Sequence, residues 1–264
     1  MENKLYDVFK ATTAHPSNNN FELHTHENYE VYLFIDGDTN YIVEGDTYAL
    51  KPYDIIVIRK NDMHRAYHNS AKRYQRYVIS IWPEFFEKNN CRQYEQQFLC
   101  TGLGNKISSA LVMSEGIYDA FMRLEKYTDG FKDTESPVAV SIITEILYLI
   151  SNTEHYMGTN IKNQHIANVI EYINKSFTDN ITLDELEKRF FVSKHYLCRS
   201  FKKATGLTVH QYITQKRMSY IKELTKEGKN ITDAASLAGF NSYSSFYRAY
   251  KEKFDSSPKS LMKS

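Results

Sequence analysis

The sequence predicts an α+β chain in which an N-terminal antiparallel β-barrel is followed by a helical connecting region and an all-α C-terminal domain. Three observations carry this. Strand-like runs separated by turns every 8–12 residues are confined to residues 20–82, the period becomes helical from about residue 106, and the charge divides unevenly between the halves. The boundaries that follow are 1–105 for the barrel, 106–160 for a helical linker and dimerisation region, and 161–264 for the all-α domain.

The strands come first. YEVYLFI (29–35) is aromatic and β-branched and runs into the turn dipeptide Asp36-Gly37. TNYIVE (39–44) stops at Gly45, and TYALKP (47–52), DIIVI (54–58) and RYVISIW (76–82) complete a set of five. Their even spacing indicates a sandwich or barrel rather than alternating strands and helices. Helices follow. Ile107, Leu111, Ile117, Phe121 and Leu124 predict one helix over about 106–127. Val140, Ile143, Ile146, Leu147 and Ile150 give a wide apolar stripe to a second, over 137–152. These two helices are read as pairing between subunits, with packing against the barrel as the other reading. The polar stretch 152–163 serves as a linker, and everything beyond it reads as helical.

Composition narrows the function. The chain has 264 residues, 42% apolar and 25% charged, which excludes disorder and collagen-like repeats. The apolar-rich stretch 137–150 is interrupted by Glu145 and falls short of the ~20 residues of a spanning helix. No secretory leader is read at the start, so the expected place is the cytoplasm, without a membrane partner. Cys91, Cys100 and Cys198 have no CxxC spacing, so neither a disulfide framework nor a zinc knuckle is expected. No Walker loop, GxGxxG cradle or Ser-His-Asp set is present. The formal charge of +1 hides a split: residues 160–264 hold 14 Lys and 4 Arg against 10 acidic residues, a local +8, and the rest of the chain carries −7. The basic half is expected to face a polyanion.

That half contains a repeat. Residues 181–206 and 231–256 share one layout: Ile181-Thr182 recurs at Ile231-Thr232, and Ser193, Leu197, Arg199, Phe201 and Lys202 recur as Ser242, Phe246, Arg248, Tyr250 and Lys251. Each unit reads as helix, tight turn, helix. Thr182 and Glu185 have capping-box spacing, Thr232 is the equivalent N-cap, and Ser193 and Ser242 cap the second helices. In the first unit Leu197, Phe201 and Ala204 line one side of the second helix, and His195, Cys198, Arg199 and Lys202 the other. In the second unit Phe246, Tyr250 and Phe254 face in, while Tyr243, Ser244, Tyr247, Arg248 and Lys251 face out. An apolar side that anchors and a cationic side that can enter the major groove define a helix-turn-helix. A helix over about Val209 to Lys226 joins the copies, placing them on grooves roughly 34 Å apart.

Residues 165–262 resemble the tandem helix-turn-helix domain of the AraC family of bacterial transcription regulators, through I-T-L-x-x-L…F…S-x-x-Y-L-x-R-x-F-K-K-x-T-G-x-T (181–208), Y-I-x-x-x-R (212–217) and I-x-x-A-A-x-x-x-G-F-x-S-x-S-x-F-x-R-x-Y-K (231–251), with Pro258 following. Glu187 stands where the family has a small residue, a departure expected to loosen the first recognition helix. The resemblance implies DNA contacts from Lys194, His195, Cys198, Arg199 and Lys202 in the first unit, and from Tyr243, Ser244, Tyr247, Arg248 and Lys251 in the second. Arginine reads guanine through two hydrogen bonds. Lys202, Lys203 and Lys251 are assigned to phosphate, and Cys198 is a small neutral filler.

In the acidic half, His24-x-His26-x3-Glu30 followed by Gly45…Pro52-x-Asp54…His64 resembles the two-motif signature of cupins, with Tyr53 in place of the glycine of the P-G-D turn. Two readings stand side by side. His24, His26, Glu30 and His64 could hold Fe, Mn, Ni or Zn in a metal-dependent cupin enzyme with a helical assembly domain. Alternatively they are framework residues around a small effector, bound without metal or cofactor by His24, His26, Glu30, Tyr32 and His64. Tyr32, Phe34, Tyr41, Tyr67 and Trp82 favour a carbohydrate as that effector. The resulting expectation is a non-enzymatic, homodimeric regulator of the activator type. It binds double-stranded promoter DNA, its cupin-like domain senses a small molecule, and RNA polymerase is a further partner.

Overall fold

The computed structural model describes residues 5–99, 105–128, 136–154, 164–254 and 258. The chain forms two compact units, one of residues 2–22 and 28–159, the other of residues 23–27 and 160–264. Cys100 and most of the polar stretch 152–163 lie outside the described residues.

The first unit begins with β1 (Tyr6–Thr13), β2 (Tyr29–Asp36), β3 (Thr39–Val43), β4 (Asp46–Ala49), β5 (Ile55–Ile58), β6 (His64–His68) and β7 (Tyr74–Ile81). The helices α1 (Pro83–Lys88) and α2 (Arg92–Leu99), the two-residue β8 (Lys106–Ile107), and α3 (Ser109–Ser114), α4 (Ile117–Thr128) and α5 (Pro137–Ser151) follow. The strands form two antiparallel sheets, a five-stranded one in the order β1-β7-β2-β5-β8 and a three-stranded one in the order β4-β3-β6. The expected barrel is therefore corrected: the sheets do not close. The strands at the would-be seams are too short for a continuous ladder, with β8 giving only Ile55↔Ile107 and Ile56↔Lys106.

The five-stranded sheet is buried on both faces, which is why β2 and β5 read as continuous apolar runs rather than alternating ones. One face sends Val31, Leu33, Ile55, Val57, Tyr77 and Ile79 against Phe85, Phe121, Ile143, Ile146 and Ile150 of the helices. The other sends Tyr32, Phe34, Ile56, Tyr74 and Val78 toward Tyr41, Val43, Tyr48 and Ala66 of the smaller sheet. The apolar stripe of α5 is thus consumed inside the unit. The single helix expected over 106–127 is also corrected: β8, α3 and α4 replace it. Gly116, with φ +73, turns the chain between the two helices, where no neighbour lies within 4 Å of a Cβ. Asp54, 1% exposed, accepts from the Ser109 amide at the start of α3 (2.7 Å) and pairs with Lys106 (2.7 Å). Tyr53 adopts φ +72, the conformation for which glycine is the usual choice, with its ring against Tyr118 at 5.0 Å.

The second unit is helical: α6 (Gln164–Ser176), α7 (Leu183–Phe190), α8 (Lys194–Thr205), α9 (Val209–Lys226), α10 (Ile231–Leu237) and α11 (Tyr243–Phe254). Residues 23–27 join it through Thr25, whose hydroxyl meets that of Ser219 on α9 at 2.7 Å, and through the Glu27–Lys226 ion pair. Among the described residues no helix is long and apolar enough to cross a membrane.

Candidate nucleic-acid interface and effector space

The first helix pair is α7 and α8. Thr182 caps α7 by accepting from the Glu185 amide at 3.1 Å, but Glu185 does not complete a capping box; its carboxylate takes the Tyr172 hydroxyl of α6 instead. Phe191, at φ +54, ends α7, and Ser193 then caps α8 by accepting from the Tyr196 amide at 3.3 Å. Leu197, Phe201 and Thr205 are buried along α8, whereas His195, Cys198, Arg199 and Lys202 are exposed at spacings of three and four. Glu187 does not loosen this packing. Its carboxylate accepts from the backbone amide of Lys194 at 3.0 Å, satisfying one of the open amides at the start of α8. The Lys194 ammonium is taken up by Asp184 at 2.5 Å. That hydrogen bond holds the Asp184 carboxyl below its ordinary range and raises Lys194.

The second pair, α10 and α11, repeats the plan with other caps. Asn230, two residues before the expected Thr232, accepts from the amides of Thr232 (3.1 Å) and Asp233 (2.9 Å). Asn230 still has extended backbone, the N-cap conformation from which its amide oxygen reaches both amides. Ser242 caps α11 through the Ser245 amide at 3.2 Å. Phe246 and Tyr250 are buried, and Tyr243, Ser244, Tyr247, Arg248 and Lys251 are exposed. The side chain of Phe254 lies outside the described residues.

Helix α9 is the shared spine. Thr208 and Gln211 form the full capping box that the sequence reading placed elsewhere, with bonds of 3.2 and 2.9 Å. Tyr212 packs on Phe201 at 5.4 Å for the first pair, and Met218, Ile221 and Leu224 enter the core of the second. Arg217 ties the two together. Its Nε donates to the Phe177 carbonyl and its Nη2 to the Asp179 carbonyl, both at 2.7 Å, and the guanidinium lies 5.6 Å from the centre of the Phe240 ring. Gly239 fits below this clamp because a Cβ there would stand 2.1 Å from the Thr178 carbonyl oxygen.

In the sheet unit, Glu30, Tyr32 and His64 all belong to the space between the two sheets. Glu30 accepts from Tyr41, Tyr32 meets the Tyr74 hydroxyl at 2.5 Å, and His64 donates from Nδ1 to the Asp62 carbonyl at 2.8 Å while stacking at 6.2 Å on Tyr41. Burial pushes the Tyr32 and Tyr41 hydroxyls well above their usual range and Tyr74 to about 12. His24 and His26 fall in the helical unit, with rings 6.1 Å apart. Tyr67 is 41% exposed, and Trp82 lies at the start of α1, away from that space.

The sequence reading missed Phe21, His68, Tyr74 and Arg76 there. Tyr74 and Arg76 share strand parity with Val78, and an arginine in the inward register of an apolar strand is the signal that could have found them.

Comparison with known proteins agrees with this division. Residues 8–126 match the model of the AraC-like ligand binding domain, and residues 186–264 that of a helix-turn-helix domain. An uncharacterised HTH-type transcriptional regulator of Staphylococcus aureus (strain COL) is 26% identical over 51% of this chain, a match that spans 18% of that relative's length. The uncharacterised HTH-type transcriptional regulator YbfI of Bacillus subtilis (strain 168) is 21% identical over 85% of this chain and 80% of its own. Among solved structures, ToxT from Vibrio cholerae is 15% identical and covers 98% of this chain and 97% of its own, with a TM-score of 0.41. The chain thus carries an AraC-like ligand-binding domain followed by a helix-turn-helix domain, and the curated relatives it resembles are HTH-type transcriptional regulators.

Proposed function

We propose that this chain regulates transcription by sequence-specific binding of double-stranded promoter DNA, under the control of a small molecule held between the two sheets. One observation carries the reading. His195, Cys198, Arg199 and Lys202 on α8 and Ser244, Tyr247, Arg248 and Lys251 on α11 form two exposed faces with one spacing, each backed by a buried aromatic core. Arg199 and Arg248 supply the forked donors that distinguish guanine, and Lys202, Lys203 and Lys251 supply charge for phosphates. Lys194 is assigned a lesser part, because Asp184 already holds it. The effector acts by binding one arrangement of the chain better than another. The protein works as a cytoplasmic homodimer on two half-sites, with RNA polymerase as the downstream contact, and is not an enzyme. Buried tyrosines with a few polar groups suit a carbohydrate-sized polar molecule. Gel-shift titration tests this: promoter DNA should bind at least 1000-fold tighter than scrambled DNA, on the order of known specificity ratios. Equal affinity for both would end the reading.

A further inference from the structure

At the end of the inter-sheet space lined by Phe21 and Tyr74, two buried hydrogen-bonding atoms from opposite sheets have no partner among the described residues. Arg76 projects from β7 of the large sheet. Its guanidinium lies 4.8 Å from the centre of the Tyr74 ring and 5.4 Å from that of Phe21, and its Nη1 is buried without a hydrogen-bond partner. His68 projects from β6 of the small sheet, 5% exposed, with its ring 4.5 Å from each of the same two rings. Its Nδ1 meets the Thr39 hydroxyl at 3.0 Å, and its Nε2 is buried without a partner. When Thr39 donates to Nδ1, the ring proton sits on Nε2, so both unsatisfied atoms are donors. Leaving a buried donor unmade costs its full desolvation, more so for a charged group.

Arg76 forms no ion pair with a carboxylate among the described residues. The acidic group facing the same space, Glu30, does not serve it. In the sheet register Arg76 stands opposite Phe34 and Glu30 opposite Ser80, four residues apart and so about 13 Å along the strand. Tyr41 donates to Glu30 at that far end. The space therefore has an acidic end and a basic end, with Tyr32 between them and Tyr74 beside Arg76.

We propose that Arg76 and His68 form the recognition site for an anionic effector, a small molecule whose carboxylate bridges the two donors while its body lies against the tyrosine rings. The proposal rests on the reading of the inter-sheet space as the effector site and adds the charge of the ligand to it. A planar two-oxygen anion matches the guanidinium fork better than a neutral hydroxyl does. Burial, with Arg76 and Arg65 nearby, lowers His68 to about 4, so at neutral pH the ring adds a donor without a second charge. Phe21 closes this end. It follows the short turn Asn18–Asn20 rather than standing in a strand, and that turn is pinned to the edge of β6 by Asn18, which exchanges two hydrogen bonds with the His68 backbone at 3.0 and 2.8 Å. Phe21 is thus the wall that can swing aside without breaking a strand ladder.

Thermal unfolding of the full chain, at fixed ionic strength, with matched pairs of probes tests the proposal: acetate against acetamide, benzoate against benzyl alcohol, glucuronate against glucose. At least one carboxylate should raise the melting temperature by about 3 °C more than its neutral partner, and Arg76→Gln should abolish that preference while retaining promoter binding. A second readout does not depend on the variant folding: titration with the best carboxylate should shift the His68 Nε2 resonance in the native protein. No carboxylate preference in the native chain, a preference that survives Arg76→Gln, or an unmoved His68 would each overturn the anionic assignment. A neutral probe that stabilises native and variant chains equally would overturn it too while leaving the effector reading intact, and the gel shift judges DNA binding separately.

Discussion

The two helix-turn-helix units share a layout and are held together by different chemistry. In the first, α7 and α8 are joined by polar ties: Glu187 to the Lys194 amide, Asp184 to the Lys194 ammonium, and Glu185 to Tyr172 of α6, over whose ring Arg189 lies at 4.1 Å. In the second, contact is made by the absence of side chains. Ala234, Ala235 and Ala238 are at most 2% exposed, and Gly239 lets the backbone approach the Thr178 carbonyl. One layout therefore tolerates two solutions: small residues where a backbone passes directly overhead, and a carboxylate where an open helix amide receives it.

Substituting the small residues should break the second solution. Gly239→Ala places a Cβ against backbone that cannot move aside, at φ +90, and should cost about 3–5 kcal/mol in chemical denaturation of the helical unit. Gly116→Ala is the internal control: positive φ but open space, so about 1 kcal/mol. Ala235→Glu puts a carboxylate at a position 2% exposed in the core of the second unit, and should cost about 3 kcal/mol. The reverse change, Glu187→Ala, removes a single acceptor and should cost only about 1 kcal/mol. If Ala235→Glu proves as mild as Glu187→Ala, the two units are not distinguished by packing.

The same comparison can be drawn on DNA. Arg199→Ala should relax sequence preference by about 1–3 kcal/mol at one base position, as measured by competition among operator variants. Lys202→Ala should weaken all sequences alike and flatten the salt dependence by about one unit. Parallel losses from both variants would mean that Arg199 grips backbone rather than reads bases.

Much of this was legible in the sequence because it depends on periodicity. The apolar positions of α8 and α11, and the bounds of α9, follow from spacing alone. What escaped depends on contacts distant in sequence. β1 and β6 each pair with strands whose partners lie far along the chain, and β8 is two residues long, so neither alternation nor length marks them. The cap at Asn230 rather than Thr232 reflects a shift of two residues between two good capping residues. Glu187 was read as a defect because sequence reveals the residue but not the amide that receives it. Arg76 sat unremarked at the head of an apolar strand, since only the register places it opposite Phe34 and away from Glu30.

The smallest effect concerns Lys194, the one predicted DNA contact with a prior commitment. Asp184 is depressed by its hydrogen bond with Lys194, so it is charged at neutral pH and holds the ammonium. A carboxylate with a lowered folded-state pKa contributes stability above its unfolded value and loses it as pH falls through the folded one, so the tie should weaken only below about pH 4. Both partners are exposed, and salt screens them. Asp184→Asn should therefore leave thermal stability at pH 7 nearly unchanged while releasing Lys194 toward phosphate. The salt dependence of DNA binding would then steepen by up to about one unit, with no change in sequence preference. An unchanged salt slope would place Lys194 beyond reach of the backbone and remove it from the interface.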